Sequence, residues 1–310
     1  MIQKTKLYLL TGFLGAGKTT FLSSVLNDLP DKKVAVIMNE FGKVGIDGPI
    51  IQKDGMELVE LNRGSIFCSC LQLNFVSALV EMSDRKMEYV FVESSGLADP
   101  SNIGEFLEAV EVAKGDVYDY SGAITIVDGV HFLQQVEDIE TVKRQLKFSN
   151  LVIISKVDLI DEETLDQIKL KIREINETAD IVESDNGRYN YDFLSKDLLA
   201  SGWLESEDTS NTPENRPKTL TLTYDEELNK DKLLKFLNII KKDSYRIKGF
   251  FKLDDGWNQL DVVNDIIDFK VIDQEKDKSE LVIISKIGPQ IIRPIFAAWE
   301  KVVGQKMKLR

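Results

Sequence analysis

Along the first two-thirds of the chain, short runs of apolar residues alternate with segments whose apolar positions recur every three or four residues. The runs predict strands over Lys6–Leu10, Val34–Met38, Tyr89–Glu93, Ala123–Val127, Leu151–Ser155 and Asp180–Glu183. Several are apolar at consecutive positions, which suits parallel strands covered on both faces. The segments between them predict helices over Thr19–Leu29, Phe75–Met82, Asn102–Val112, Asp138–Phe148 and Glu162–Glu177. Strand alternating with helix implies an α/β fold with a mostly parallel sheet.

The pattern stops near Ser201, and the stretch to Pro217, rich in Ser, Thr, Asn and Glu with Pro213 inside it, reads as a linker. A different rhythm follows. Leu220–Tyr224 alternates as a strand, and Asp231–Lys242 places Leu233, Leu234, Leu237 and Ile240 on one side of a helix. Tyr245–Leu253, a broken Gln259–Ile272 and Leu281–Lys286 are strand-like, and Pro289–Val303 reads as a closing helix. Clustered strands flanked by helices imply a smaller α+β domain. The expected division is 1–200, a linker over 201–217, and 218–310.

Composition narrows the function classes. At 310 residues the chain can bury its own core, and 43% hydrophobic with 29% charged residues is ordinary for a soluble globular protein. The net charge of −13 argues against nucleic acid and anionic membranes as partners. Lys4, Lys6 and Leu7–Leu10 imitate a secretory leader, but the apolar run is too short for one. Nor does any stretch approach the roughly 20 apolar residues of a membrane span. The two cysteines, Cys68 and Cys70, give no disulfide framework, so a reducing cytoplasm is the expected setting.

The chemistry begins after the first strand. Gly12-Phe13-Leu14-Gly15-Ala16-Gly17-Lys18-Thr19 fits G-x-x-x-x-G-K-[ST], with a strand before it and a helix after it. Such a loop points backbone N–H groups inward around a phosphate, and the helix N-terminus adds positive potential. Lys18 is expected between β- and γ-phosphates, Thr19 on Mg²⁺ and Thr20 near the α-phosphate. Glu93, ending an apolar strand, supplies the second Mg²⁺ carboxylate, and the Gly96 backbone is placed to sense the γ-phosphate. Ser155-Lys156-Val157-Asp158 follows the strand Leu151–Ile154. A carboxylate at Asp158 accepts from guanine N1–H and the N2 amine but repels the N1 acceptor of adenine, which favours GTP over ATP. The stem of Lys156 can cover the base. The only histidine, His131, reads as a structural or surface residue.

With these three motifs in order, the chain resembles the CobW-type GTPases, relatives of the GTPases that deliver metal to urease and hydrogenase. The likeness extends to Asn39-Glu40-Phe41-Gly42 with Asp47, to Glu93-Ser94-Ser95-Gly96-Leu97-Ala98-Asp99-Pro100, to Val127-Asp128, and to Arg246–Phe250 with Trp257. The resemblance implies a P-loop fold and a GTP-hydrolysing metallochaperone or metallocofactor-insertion factor, acting on a metalloenzyme or cofactor-dependent client. Self-association as a homodimer stays open. The family's G-C-x-C-C motif departs here to Gly64-Ser65-Ile66-Phe67-Cys68-Ser69-Cys70, and Lys43 replaces an acidic residue. Two thiolates plus Glu40 would make an open three-ligand site for Zn²⁺ or another transition metal; the alternative is two ordinary half-buried cysteines. Glu40 is also the candidate catalytic carboxylate, and with no obvious general base, slow turnover is expected. The other readings are a GTP-dependent scaffold without metal cargo and a P-loop kinase or ATPase.

Overall fold

The computed structural model describes residues 4–29, 31–40, 57–62, 72–185, 189, 191–201 and 217–310. They fall into two compact units, the second beginning after the 202–216 stretch. That stretch, read above as most of the linker, lies outside the described residues, as do Asp47, Cys68 and Cys70.

In chain order the first unit runs β1 (Thr5–Thr11), α1 (Lys18–Asn27), β2 (Val34–Glu40), β3 (Glu57–Asn62), α2 (Gln72–Asp84), β4 (Tyr89–Glu93), α3 (Ile103–Lys114), β5 (Tyr118–Asp128), α4 (Phe132–Asp138), α5 (Glu140–Lys147), β6 (Leu151–Ser155), α6 (Glu162–Ile175) and β7 (Asp180–Glu183). Its seven strands lie in the order β3-β2-β4-β1-β5-β6-β7, and each recorded pairing between them is parallel. Along β1, side chains alternate between two cores: Leu7 and Leu9 pack with Phe75 and Phe106, while Tyr8 and Leu10 pack with Phe21 and Leu22. All of these are at most 2% exposed. Burying each is worth about 1.5–3 kcal/mol against leaving it in water, which explains why strand segments without alternation are stable here.

Several boundaries differ from the pattern-based reading. Strand β5 starts at Tyr118, five residues before the apolar run at Ala123. Its first half is polar at Asp119 and Ser121, and the pairing with β1 slips between Leu7 and Tyr8 so that Ser121 is bulged out. The single helix expected over Asp138–Phe148 is α5, preceded by a separate α4; Ile139, at φ −127° and ψ 106°, is extended and parts them. Strand β3 was not anticipated because Glu57, Glu60 and Asn62 interrupt its apolar content at a sheet edge.

The second unit runs β8 (Thr219–Tyr224), α7 (Lys230–Ile240), β9 (Ser244–Leu253), β10 (Gly256–Val263), β11 (Ile266–Val271), β12 (Ser279–Ser285), α8 (Ile292–Val302) and β13 (Lys308–Leu309). The sheet is antiparallel, in the order β11-β10-β9-β12-β8-β13. The broken Gln259–Ile272 segment is a hairpin whose turn holds Asn264 in the left-handed region at φ 54°, a conformation Asn tolerates better than most residues. Helices α7 and α8 share one core with the sheet, in which Trp299 sits edge-on to Phe236 at 5.1 Å and Tyr224 at 5.2 Å.

Candidate nucleotide site

In the first unit, β4 and β2 lie on one side of β1 and β5–β7 on the other. Loops leaving the carboxyl ends of such strands diverge, and ligands of open α/β sheets bind there. Register brings the functional strand ends to that edge: Glu93 pairs with Leu10, and Ser155 with Asp128.

The loop between β1 and α1 holds Gly12, Gly15 and Gly17 at φ 132°, 78° and 101°, values that side chains resist. A β-carbon on Gly12 would also overlap the Ile126 carbonyl oxygen, so the loop presses directly on β5. Lys18 is only 7% exposed, and its Nζ donates to Gly12 O at 2.7 Å and Phe13 O at 3.1 Å. Thr19 Oγ1 donates to Glu93 Oε1 at 3.1 Å, and Glu93 itself is buried. Thr20, in the first turn of α1, is exposed.

After Glu93 the chain stays buried through Asn102. Ser94 is tied to the end of β1, its N–H and Oγ both donating to Leu10 O at 2.9 and 3.1 Å. Gly96 approaches the phosphate loop so closely that a β-carbon would lie 2.6 Å from Leu14 N. Two side chains of α5 hold this turn from behind. Gln145 Nε2 donates to Ala98 O at 2.9 Å and Gly96 O at 3.3 Å. Arg144 Nε donates to Asp99 Oδ2 at 2.6 Å, and Asp99 is 0% exposed.

On the other flank, Ser155 Oγ reaches both Ala16 O at 2.8 Å and Val127 O at 3.0 Å, joining β6 to the phosphate loop. Lys156 adopts a left-handed backbone at φ 58° and donates from Nζ to Asp128 Oδ2 at 2.7 Å and Gly15 O at 3.1 Å. Asp158 stands exposed on a short 3₁₀ turn, Val157–Leu159. The buried Asp128 also meets His131 Nδ1 at 3.0 Å, which gives His131 a carboxylate partner. Tyr189 adds a residue that no motif indicated. Its ring is edge-on to Phe21 at 4.9 Å, its hydroxyl lies 3.7 Å from where a β-carbon on Gly17 would be, and burial pushes its pKa up.

The residues singled out in the phosphate loop, at Glu93 and Gly96 and at Ser155–Asp158 thus meet at one edge. Glu40 ends β2 opposite Asn62 in the β3 register; Cys68 and Cys70 lie outside the described residues. Among the described residues, no group of three or more His, Cys, Asp or Glu side chains could hold a metal ion. The missed positions Arg144 and Gln145 look in sequence like the polar face of an amphipathic helix; only the fold turns them toward Gly96.

A family model described as CobW/HypB/UreG, nucleotide-binding domain, matches residues 6–183. The chain belongs to the CobW/HypB/UreG family. A second model, the cobalamin synthesis protein cobW C-terminal domain, matches residues 218–299 of this family member. The Zinc-regulated GTPase metalloprotein activator 1 of Dictyostelium discoideum is 28% identical over 247 residues, covering 68% of this chain and 51% of that protein. Its namesake from Saccharomyces cerevisiae is 32% identical over 197 residues, covering 55% and 46%. The Zinc chaperone YjiA of Escherichia coli is 30% identical over 210 residues, covering 66% and 64%. The match thus spans about half the length of the first two relatives and under two-thirds of the third. Among solved structures, the Zn(II)-bound YjiA GTPase from E. coli shares the fold with a TM-score of 0.50 at 23% identity, covering 98% of this chain and 99% of that one.

Proposed function

We propose that this CobW-family chain binds and hydrolyses GTP and couples that cycle to delivery of a transition-metal cargo, with zinc as the first candidate. The observation that carries the nucleotide half is the Thr19–Glu93 contact at 3.1 Å beside a Lys18 buried within the glycine loop. A hydroxyl and a buried carboxylate in hydrogen-bond contact are hard oxygen donors of the kind Mg²⁺ takes. Thr19 and Glu93 would hold that ion, which supplies charge neutralisation across the β- and γ-phosphates.

The remaining work falls to the chain. The N–H groups of Gly15, Ala16 and Gly17 cradle phosphate, with Gly12 permitting the turn and Thr20 facing the α-phosphate. Lys18 exchanges the Gly12 and Phe13 carbonyls for phosphate oxygens. Ser155 braces the loop, the Lys156 stem covers the base and Asp158 pairs with the guanine edge. Glu40 is the catalytic carboxylate of this reading, and slow turnover is expected because the sequence shows no obvious general base. Cargo would bind at Glu40, Cys68 and Cys70, and γ-phosphate loss would change its affinity. The names of the relatives support zinc as that cargo. Residues 1–200 would carry the cycle and 218–310 would serve a cytoplasmic metalloenzyme or cofactor-dependent client, with homodimer formation as an added possibility.

A titration of purified chain with GTP, ATP and Zn²⁺ tests this. GTP should bind at least tenfold more tightly than ATP and hydrolyse, and Zn²⁺ affinity should change with the nucleotide. Preference for ATP would refute the base assignment. A second reading, a GTP-dependent scaffold without cargo, gains support from Ser65 and Phe67 at positions where the family carries cysteine. Zn²⁺ stoichiometry and affinity unchanged in both Cys68→Ser and Cys70→Ser would favour it.

A further inference from the structure

Helix α5 does more than cover the sheet. Its main chain is tied to the central strand β5, where Thr125 Oγ1 donates to Gln145 O at 3.1 Å. Its side chains then reach the other way, into the turn after β4. Gln145 binds the carbonyls of Gly96 and Ala98, and Arg144 binds the buried carboxylate of Asp99, whose other oxygen accepts from Ser101 N–H at 3.1 Å. The clamped turn lies directly on the phosphate loop, with no room for a β-carbon between Gly96 and Leu14.

The turn is also unusually rich in unspent polar capacity. Ser95 Oγ, Ser101 Oγ, Asn102 Oδ1 and Gln145 Oε1 are buried with no hydrogen-bond partner among the described residues. Asn102 stands at the N-terminus of α3 yet its side chain caps no N–H. Buried polar groups are normally paired, so a segment that leaves three such atoms idle, with a fourth on the Gln145 side chain that pins it, has reason to adopt a second arrangement.

We propose that Arg144 and Gln145 are positioning residues for GTP hydrolysis: they set the Gly96–Asp99 turn at the height where its backbone meets the γ-phosphate, and release of the turn accompanies loss of that phosphate. This rests on the GTPase reading above. Neither residue touches nucleotide. Gln145 fixes the peptides after Gly96 and Ala98 through their carbonyls, which directs the Leu97 and Asp99 N–H groups to the opposite side. Arg144 neutralises Asp99 in a site closed to water, where an unpaired carboxylate would be expelled and carry the turn with it.

The test compares the parent chain with Gln145→Met, Arg144→Ala and Arg144→Lys for kcat, KM, affinity for GDP and for a non-hydrolysable GTP analogue, and melting temperature. Gln145→Met keeps the side chain's length while removing the donor. It should lower kcat about tenfold and erase the preference for the GTP analogue over GDP, while GDP affinity stays within about threefold and melting is unchanged. Arg144→Ala should lower kcat and the preference for the GTP analogue more strongly, again with GDP affinity kept, and should also lower the melting temperature because it leaves the buried Asp99 unpaired; Arg144→Lys, which restores the charge without the guanidinium geometry, should rescue both in part. Unchanged kcat in Gln145→Met and Arg144→Lys would overturn the proposal. So would losses of kcat, GDP affinity and melting temperature in step, the mark of a purely structural role. A parent chain that hydrolyses no GTP would overturn the functional reading itself, and is told apart because it needs no variant.

Discussion

The carboxyl edge of the first sheet and the interior of the second unit bury different things. At the edge, Lys18, Glu93, Asp99 and Asp128 are each at most 7% exposed, and hydroxyl and amide groups are buried around them. In the second unit the space between sheet and helices is filled by Phe236, Leu237, Phe251, Ile283, Ile295 and Trp299, all at most 2% exposed. Burying charge costs free energy unless every charge is paired, whereas burying aromatic and aliphatic area is favourable by itself. One region therefore spends stability to hold a chemical arrangement, and the other accumulates it. Substitutions should separate them: at the edge they should remove activity and leave folding, and in the second core they should do the reverse.

The largest expected effect is Lys18→Ala, which removes the ammonium meant for the β- and γ-phosphates. GTP turnover should fall about 10³-fold or more, read by phosphate release, with a nearly unchanged melting curve. Matched in energy but opposite in kind, Trp299→Ala should destabilise the second unit by about 3–5 kcal/mol in denaturant unfolding while guanine-nucleotide affinity holds. Loss of nucleotide affinity there would break the contrast. Next, Asp158→Asn should reduce the GTP-over-ATP preference by about 10²-fold in competition binding, because two charge-assisted hydrogen bonds to guanine are weakened together. The smallest effect sharpens the comparison. Asn229 caps α7, its side chain accepting from Asp231 and Lys232 N–H groups. Asn229→Ala should cost about 1 kcal/mol, with no change in GTP turnover.

Much of the site was legible in sequence because its parts are local. A glycine loop between a strand and a helix places Gly12 through Thr19 by backbone geometry, and Glu93 and Ser155–Asp158 follow at strand ends that parallel pairing aligns. The boundaries that were missed have equally physical causes. The β5 start is polar and bulged, Ile139 interrupts a helix without a Gly or Pro to mark it, and β3 has an edge strand's mixed composition.

By itself, then, the sequence determined the α/β alternation, the glycine loop, the strand-end carboxylate Glu93 and the Ser155–Asp158 tetrapeptide at the end of β6, since each depends on short spacing and residue chemistry. Only the tertiary structure decided that Lys156 shares Asp128 with His131, that Tyr189 comes to Gly17, and that Arg144 and Gln145 grip a turn some 45 residues earlier in the chain. Apart from the local Asp128–His131 pair, those contacts join residues far apart in sequence, and no local pattern encodes them; they exist because the sheet brings the ends of distant strands to one edge.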